Sequence, residues 1–332
     1  MHQFSCLILS FFLAAPALAQ HYQTTGKIIV DDPKLEELID VSAGIEILAD
    51  GFDWLEGPLW LASENKLIFS DIPENSIYQW SESDGLRMYL NPSGYTGERD
   101  RAGELGSNGL LLTPDGSLVI CQHGDRRIAK MLAPLSAPEP KFKTLADSYQ
   151  TKKLNSPNDA VFSKSGDLYF TDPPYGLEQK IDDPAKELEF QGVYKISKSG
   201  EIQLLTKALT RPNGIAFSVD GTKLYVANSD PAWAIWMVYD VKTDGTLAAG
   251  EVFYDATSLV GKEKGLPDGM KVHRDGALFA TGPGGIFIFS PDGKILGKIV
   301  TGQETANCAF NDDYSALYIT ADDYLMRVGL KK

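Results

Sequence analysis

Six times along the chain a polar residue is followed by a small or acidic one, a run of mostly apolar positions, a turn rich in Asp, Gly and Ser, and a second apolar run. The clearest copies are NGLLLTPDGSLVICQ from Asn108, NDAVFSKSGDLYFTD from Asn158, NGIAFSVDGTKLYVA from Asn213 and DGMKVHRDGALFATG from Asp268. Two looser copies are EGPLWLASENKLIFSD from Glu56 and NCAFNDDYSALYITAD from Asn307. The leading residues lie between 39 and 55 positions apart, room for four short strands and their turns, and a repeat of this length signals a radial or stacked architecture. The runs are β-branched and aromatic, as in Leu118-Val119-Ile120 and Leu224-Tyr225-Val226, and Asp-Gly or Ser-Gly turns bound them. No long helical period is present. In the third unit the pattern predicts strands at about 160–163, 168–171, 192–196 and 201–205, with 173–190 as a loop.

The predicted fold is therefore all-β, a six-bladed β-propeller. A pair of β-sandwiches would also give short strands, but without a repeated polar head. The sixth unit runs out after Tyr324–Leu330, its third strand. The segment 44–48, GIEIL, precedes the first unit and is predicted to supply the missing outer strand, closing the ring by pairing the two ends of the chain and covering a sheet edge.

The repeat turns sequence position into spatial position. In a propeller the first strand of every blade lines the channel and all start at the same end, so Glu56, Asn108, Asn158, Asn213, Asp268 and Asn307 are expected to converge. A single Asn-Gly pair is ordinarily a turn; six oxygen-bearing heads, two of them acids, form the ligand set of a hard cation. Ca²⁺ suits carbonyl-rich, flexible coordination best, Mg²⁺ and Mn²⁺ compete, and Zn²⁺ is less suited.

The chain of 332 residues, 43% hydrophobic and 23% charged, has the composition of a folded protein. Its net charge of −14 argues against a partner held by its phosphates, which would call for clustered Lys and Arg. Residues 1–19 read as a signal peptide: an apolar run from Cys6 to Leu18 ends in Ala17-Leu18-Ala19 before Gln20. The run is short of the about 20 apolar residues of a membrane span, so export to the periplasm or the extracellular space is expected. Residues 20–43 read as an N-terminal extension and 44–332 as the propeller. Loss of the leader leaves Cys121 and Cys308, too few for a disulfide framework and placed by the repeat in different units, so two buried thiols are expected.

The phrases Glu56-Gly57-Pro58, Ser156-Pro157-Asn158-Asp159, Arg211-Pro212-Asn213-Gly214 and Pro267-Asp268-Gly269-Met270 together resemble the SMP-30/gluconolactonase/LRE-like family over about residues 45–328. The resemblance implies a six-bladed propeller that hydrolyses lactones of sugar acids. It also implies a divalent metal at the positions matching Glu56, Asn213 and Asp268, with a contact near Asn158. Some family members hydrolyse organophosphates. Two features depart from the best-studied animal members: an Arg that contacts the sugar is replaced here by Ser156, and an acid farther along that blade gives way to Asp172-Pro173-Pro174-Tyr175-Gly176. The Ser107-Asn108-Gly109, His123-Gly124 and Thr171–Gly176 stretches are closer to bacterial exported members.

On this reading the metal polarises the lactone carbonyl while Asp268 binds it and takes a proton from the attacking water. Asn108, Asn158, Ser156, His123 and Tyr175 are the candidate substrate contacts. His123, at the end of the second strand of the second unit, is expected either to face the tunnel mouth as a proton shuttle or to cap a turn beside Asp125, with a role in support of the site favoured, and His273 at an outer turn is structural. Segments 95–106 and 173–190 are long polar insertions suited to lids or specificity loops. No Gly-x-Ser-x-Gly elbow accompanies the His residues, which argues against a serine hydrolase. The competing readings are another ester or organophosphate hydrolase on the same site, and a non-catalytic propeller with the metal as a plug.

Overall fold

The computed structural model describes residues 21–99 and 101–331; the predicted leader, 1–19, lies outside them. Six antiparallel sheets stand around a central channel, one per sequence repeat. The first blade is built from Leu55–Leu61, Lys66–Asp71, Ser76–Ser81 and Gly85–Leu90. The third is built from Ala160–Phe162, Leu168–Asp172, Gly192–Ile196 and Ile202–Thr206, within two residues of the expected bounds.

Each apolar run packs in two directions. Along Ser107–Leu112 and Leu118–Gln122, Leu110, Leu118 and Ile120 face the first blade's Leu61 and Ile68, while Leu111, Val119 and Cys121 face the third blade's Leu168 and Phe170. Six such apolar layers alternate with the six blades. Both faces of every sheet are therefore covered, which is why the runs read as continuous rather than alternating hydrophobicity. Burial of this kind stabilises by about 25 cal/mol per Å² of apolar surface, and here it falls mainly between blades. Cys121 and Cys308 sit in different layers, both as free buried thiols.

Ring closure follows the expected route and goes further. Ile45–Ala49 pairs antiparallel with Tyr324–Gly329 as the fourth strand of the sixth blade. The segment 20–43, expected as an extension ahead of the propeller, is built into it from Gln23 onward. Gln23–Thr25 adds a fifth strand to the sixth blade, against Ile45–Ile47. Lys27–Val30 adds one to the fifth blade, against Gly297–Val300. The chain switches blades at Gly26, where φ is +62° and a Cβ would stand 2.1 Å from the Val300 carbonyl oxygen, so glycine is required. Leu35 and Ile39 then plug the layer between the fifth and sixth blades with no exposure.

Candidate metal and substrate site

The channel heads are brought together by two local devices that recur around the ring. In the first, a polar residue at or near the end of a blade's second strand caps the chain that enters the same blade. Asp71 accepts the Trp54 and Asp53 amides at 3.2 and 3.3 Å, Asp172 those of Ser156 and Asn155 at 2.8 and 2.9 Å, and Asn228 that of Arg211 at 2.8 Å. These bonds fold the incoming loops so that Glu56, Asn158 and Asn213 follow at the channel. In the second, a hydroxyl from one blade holds the head backbone of the next. Ser70 donates to the Asn108 carbonyl (3.0 Å), Thr171 to Asn213 (2.7 Å), Ser229 to Pro267 (2.6 Å) and Thr281 to Ala306 (2.8 Å).

The glycine after four of the heads serves this crowding, and at Gly57 it also serves a left-handed backbone with φ of +52°. A Cβ on Gly57 would lie 2.0 Å from the Asn108 carbonyl oxygen, on Gly109 2.8 Å from that of Asn158, on Gly214 2.2 Å from that of Asp268, and on Gly269 2.0 Å from the Asn307 side chain. Each head thus lies against the backbone or side chain of the next blade's head, and only a hydrogen fits between.

Above the heads opens a cavity of 420 Å³, lined among others by Glu56, Asn108, Asn158, Asn213, Asp268 and Tyr175, a volume in the range of small-molecule sites. Glu56 is buried; its Oε2 accepts the Gly57 amide at 3.0 Å and the Asn307 side-chain amide at 3.1 Å. The Asn307 oxygen is engaged by the Cys308 N–H and the Lys271 ammonium, so this sixth head orients Glu56. Burial pushes the Glu56 carboxyl up to about 7, against the opposing pull of its two N–H donors. Asp268 is raised well above the usual carboxylate range, first by burial and then by the charges of Glu56, Asp159 and Glu104. Burial likewise pushes up the Tyr175 hydroxyl, which donates to the Ser229 carbonyl at 3.4 Å.

Three oxygens at the cavity floor, Asn108 Oδ1, Asn158 Oδ1 and Asp268 Oδ1, are buried without any hydrogen-bond partner. Buried acceptors are almost always satisfied, and their partner here would be a cation or water. Among the described residues no three of His, Cys, Asp and Glu gather at one point; the set is two carboxylates with amide oxygens, which suits a hard cation.

Two expected contacts stand elsewhere. Ser156 is fully buried, its hydroxyl donating to the Pro173 carbonyl at 2.6 Å and accepting the Gly176 amide at 2.9 Å. It shapes the 173–176 turn and does not line the cavity. His123 is buried one layer behind the wall, with Nδ1 3.2 Å from Glu104 Oε2. His273 packs against the Phe310 and Tyr314 rings. Both insertions reach the site, contributing Glu104, Tyr175 and Lys180 to the cavity wall. Arg101 ties them together, bonding the Gly124 carbonyl at 3.0 Å and the Gly176 carbonyl. Glu104 and the strand-end caps Asp71, Asp172 and Asn228 escaped sequence reasoning. The caps left a signal, a polar residue closing each second apolar run; Glu104, in an aperiodic loop, left none.

The SMP-30/gluconolactonase/LRE-like region model matches residues 54–323, all six repeats. The chain belongs to the SMP-30/gluconolactonase/LRE-like family. Within this family it is 40% identical to the gluconolactonase of Zymomonas mobilis subsp. mobilis over 315 residues, covering 93% of this chain and 87% of the relative. It superposes on a gluconolactonase structure from Xanthomonas campestris with a TM-score of 0.80 at 28% identity, over 95% of this chain and 99% of that one. A calcium-binding regucalcin from Agrobacterium tumefaciens shares the fold (TM-score 0.66, 19% identity, 86% and 92% of the two chains). The match spans both the blades and the capped head loops that build the floor.

Proposed function

We propose that this protein is a metal-dependent lactonase that opens lactones of sugar acids. The observation that carries the reading is the floor of the cavity: buried carboxylates and amide oxygens converge there with three oxygens unsatisfied, in a chain 40% identical to a gluconolactonase. Glu56, Asn158, Asn213 and Asp268 would hold the cation. A divalent cation bound there, Ca²⁺ by the oxygen-only chemistry of the set, supplies Lewis-acid polarisation of the lactone carbonyl.

The rest falls to the chain itself. Asp268, half-buried at the floor with Oδ1 unpartnered, takes the proton from the attacking water as the water oxygen bonds to the carbonyl carbon. Collapse of the tetrahedral adduct then breaks the ring C–O bond, and the ring oxygen leaves as the hydroxyl by taking that same proton from Asp268, which returns to the carboxylate. Asn108 offers its amide to substrate oxygens, and Tyr175 closes one side of the cavity. Asn307 and the Gly57 amide fix the Glu56 carboxylate, so its geometry is set before substrate arrives.

The test is pH-indicator hydrolysis of D-glucono-1,5-lactone above its spontaneous rate. Protein stripped with EDTA is re-loaded in turn with Ca²⁺, Mg²⁺, Mn²⁺ and Zn²⁺, with paraoxon as the competing substrate. Turnover should vanish on stripping, return with one or more cations, and fall at least about a hundredfold in Asp268→Asn, the scale of a lost general base. A stripped protein as active as the loaded one, or an active Asp268→Asn, would sink the proposal.

A further inference from the structure

The cavity wall carries a carboxylate that the proton-transfer scheme leaves idle. Glu104 arises from the insertion between the first two blades and lines the cavity, its side chain 29% exposed while the imidazole behind it is 0% exposed. That imidazole, His123, stands with Nδ1 3.2 Å from Glu104 Oε2, off the ideal hydrogen-bond direction, and its Nε2 has no partner among the described residues. A buried His with both nitrogens otherwise unserved has one acceptor within reach, and that acceptor is the wall carboxylate.

The backbone holds the pair in place from both sides. The His123 amide donates to the Gly106 carbonyl and the Gly124 amide to the Leu105 carbonyl, both at 3.1 Å, so the residues after Glu104 are pinned beside His123. Before it, Arg101 grips the Gly124 and Gly176 carbonyls. Gly176 packs on His123 so closely that a Cβ there would lie 2.7 Å from the His123 Cβ. The other acids on the lining, Glu263 and Glu304, are exposed at the rim, and Glu263 is paired with Lys298 at 2.5 Å. Among the described residues of the cavity, Glu104 is thus the one lining carboxylate above the floor that is not exposed.

We infer that Glu104 is the acceptor for the ring hydroxyls of the substrate and that His123 is its positioning residue, so that this pair selects polyhydroxylated lactones over plain ones. The inference rests on the lactonase reading and adds its specificity element. With the carbonyl oxygen drawn to the floor, the rest of a six-membered ring must face the wall, where its hydroxyls can donate to Glu104. Hydrogen bonds to an ionised acceptor in a sheltered site are the strong ones, and leaving one unmade discriminates against the partner that lacks it.

The test sets the same six-membered lactone ring with and without its hydroxyl-bearing substituents side by side: D-glucono-1,5-lactone and δ-valerolactone. Glu104→Ala should raise KM for the sugar lactone about ten- to hundredfold, the scale of a lost charged hydrogen bond, and leave KM for δ-valerolactone within about twofold, while any change in kcat passed on through the Asp268 carboxyl is common to both lactones. His123→Leu should shift in the same selective way, and His123→Gln, which keeps a donor and is the safer fold, should recover most of the loss. Equal rises in KM on both lactones, or none on either, would overturn the assignment. Titration calorimetry with the unreactive D-glucono-1,5-lactam and δ-valerolactam reads the same contrast without turnover. If the wild type hydrolyses neither lactone, the lactonase reading fails on its own, while weaker lactam binding by Glu104→Ala alone still supports the wall contact and unchanged binding still refutes it.

Discussion

At the scale of single residues the site is governed by what burial does to small groups. Gly214 shows the steric side. Its missing Cβ leaves room for the Asp268 carbonyl, so Gly214→Ala should cost about 1–3 kcal/mol of stability, as overpacking does. Because the strain falls on the Asp268 backbone, divalent-cation affinity should weaken with it; urea unfolding and cation titration would register both. Asp172 shows the electrostatic side. Burial raises its carboxyl to about 7 despite the Asn155 and Ser156 amides that favour the anion. The folded protein therefore holds this proton more tightly than the unfolded chain, whose value is near 4. Its contribution to stability is complete below about pH 4 and is lost as pH rises through about 7. Thermal midpoints from pH 4 to 8 should fall more steeply for the wild type than for Asp172→Asn, and parallel curves would count against this account.

At the scale of elements, the decisive pieces come from the N-terminal segment. Ile45–Ala49 is hydrogen-bonded into the sixth blade and carries Ile45 into the layer beneath it. Gln23–Thr25 and Lys27–Val30 merely extend the outer edges of two blades. A chain beginning at residue 32 should still fold, with a lowered thermal midpoint, because it keeps Leu35, Ile39 and the closing strand. A chain beginning at residue 50 lacks that strand and should lose cooperative unfolding, since an exposed three-stranded edge would face solvent; circular dichroism melts of the two would separate them. The same unevenness explains what the pattern revealed of these elements. GIEIL was legible because the sixth repeat lacked a strand. The strands at 23–30 were not, since Gln23, Thr24 and Lys27 are polar and exposed and the pairing depends on a blade edge hundreds of residues away in sequence.

At the scale of the whole molecule, stability and site construction use the same contacts. The apolar layers between blades hold the ring, and the hydroxyls of Ser70, Thr171, Ser229 and Thr281 register each head against the next. Cys121 and Cys308 belong to this framework. Burial raises the Cys121 thiol strongly and pushes that of Cys308 up to about 12, and thiolate is the reactive form. In folded protein prepared from residue 20 onward neither thiol should therefore react with Ellman's reagent, both should react after unfolding, and reductant should leave the melting midpoint unchanged. Early labelling of the folded protein would contradict the packing of these layers.

The sequence alone determined the number of blades, the strands of the third unit, the closing strand and the six channel heads, because a repeat converts spacing along the chain into position around an axis. Tertiary structure decided how the heads differ. It set Asn307 to orient Glu56, withdrew Ser156 and His123 from the cavity surface, and brought Glu104 into it from a loop without periodicity. It also showed that Gly109, Gly214 and Gly269 answer to the neighbouring blade rather than to a turn. The physical reason is that pattern records which face of a strand is buried, a local property. Which oxygen is left without a partner at the channel depends on side chains from several blades meeting at one point.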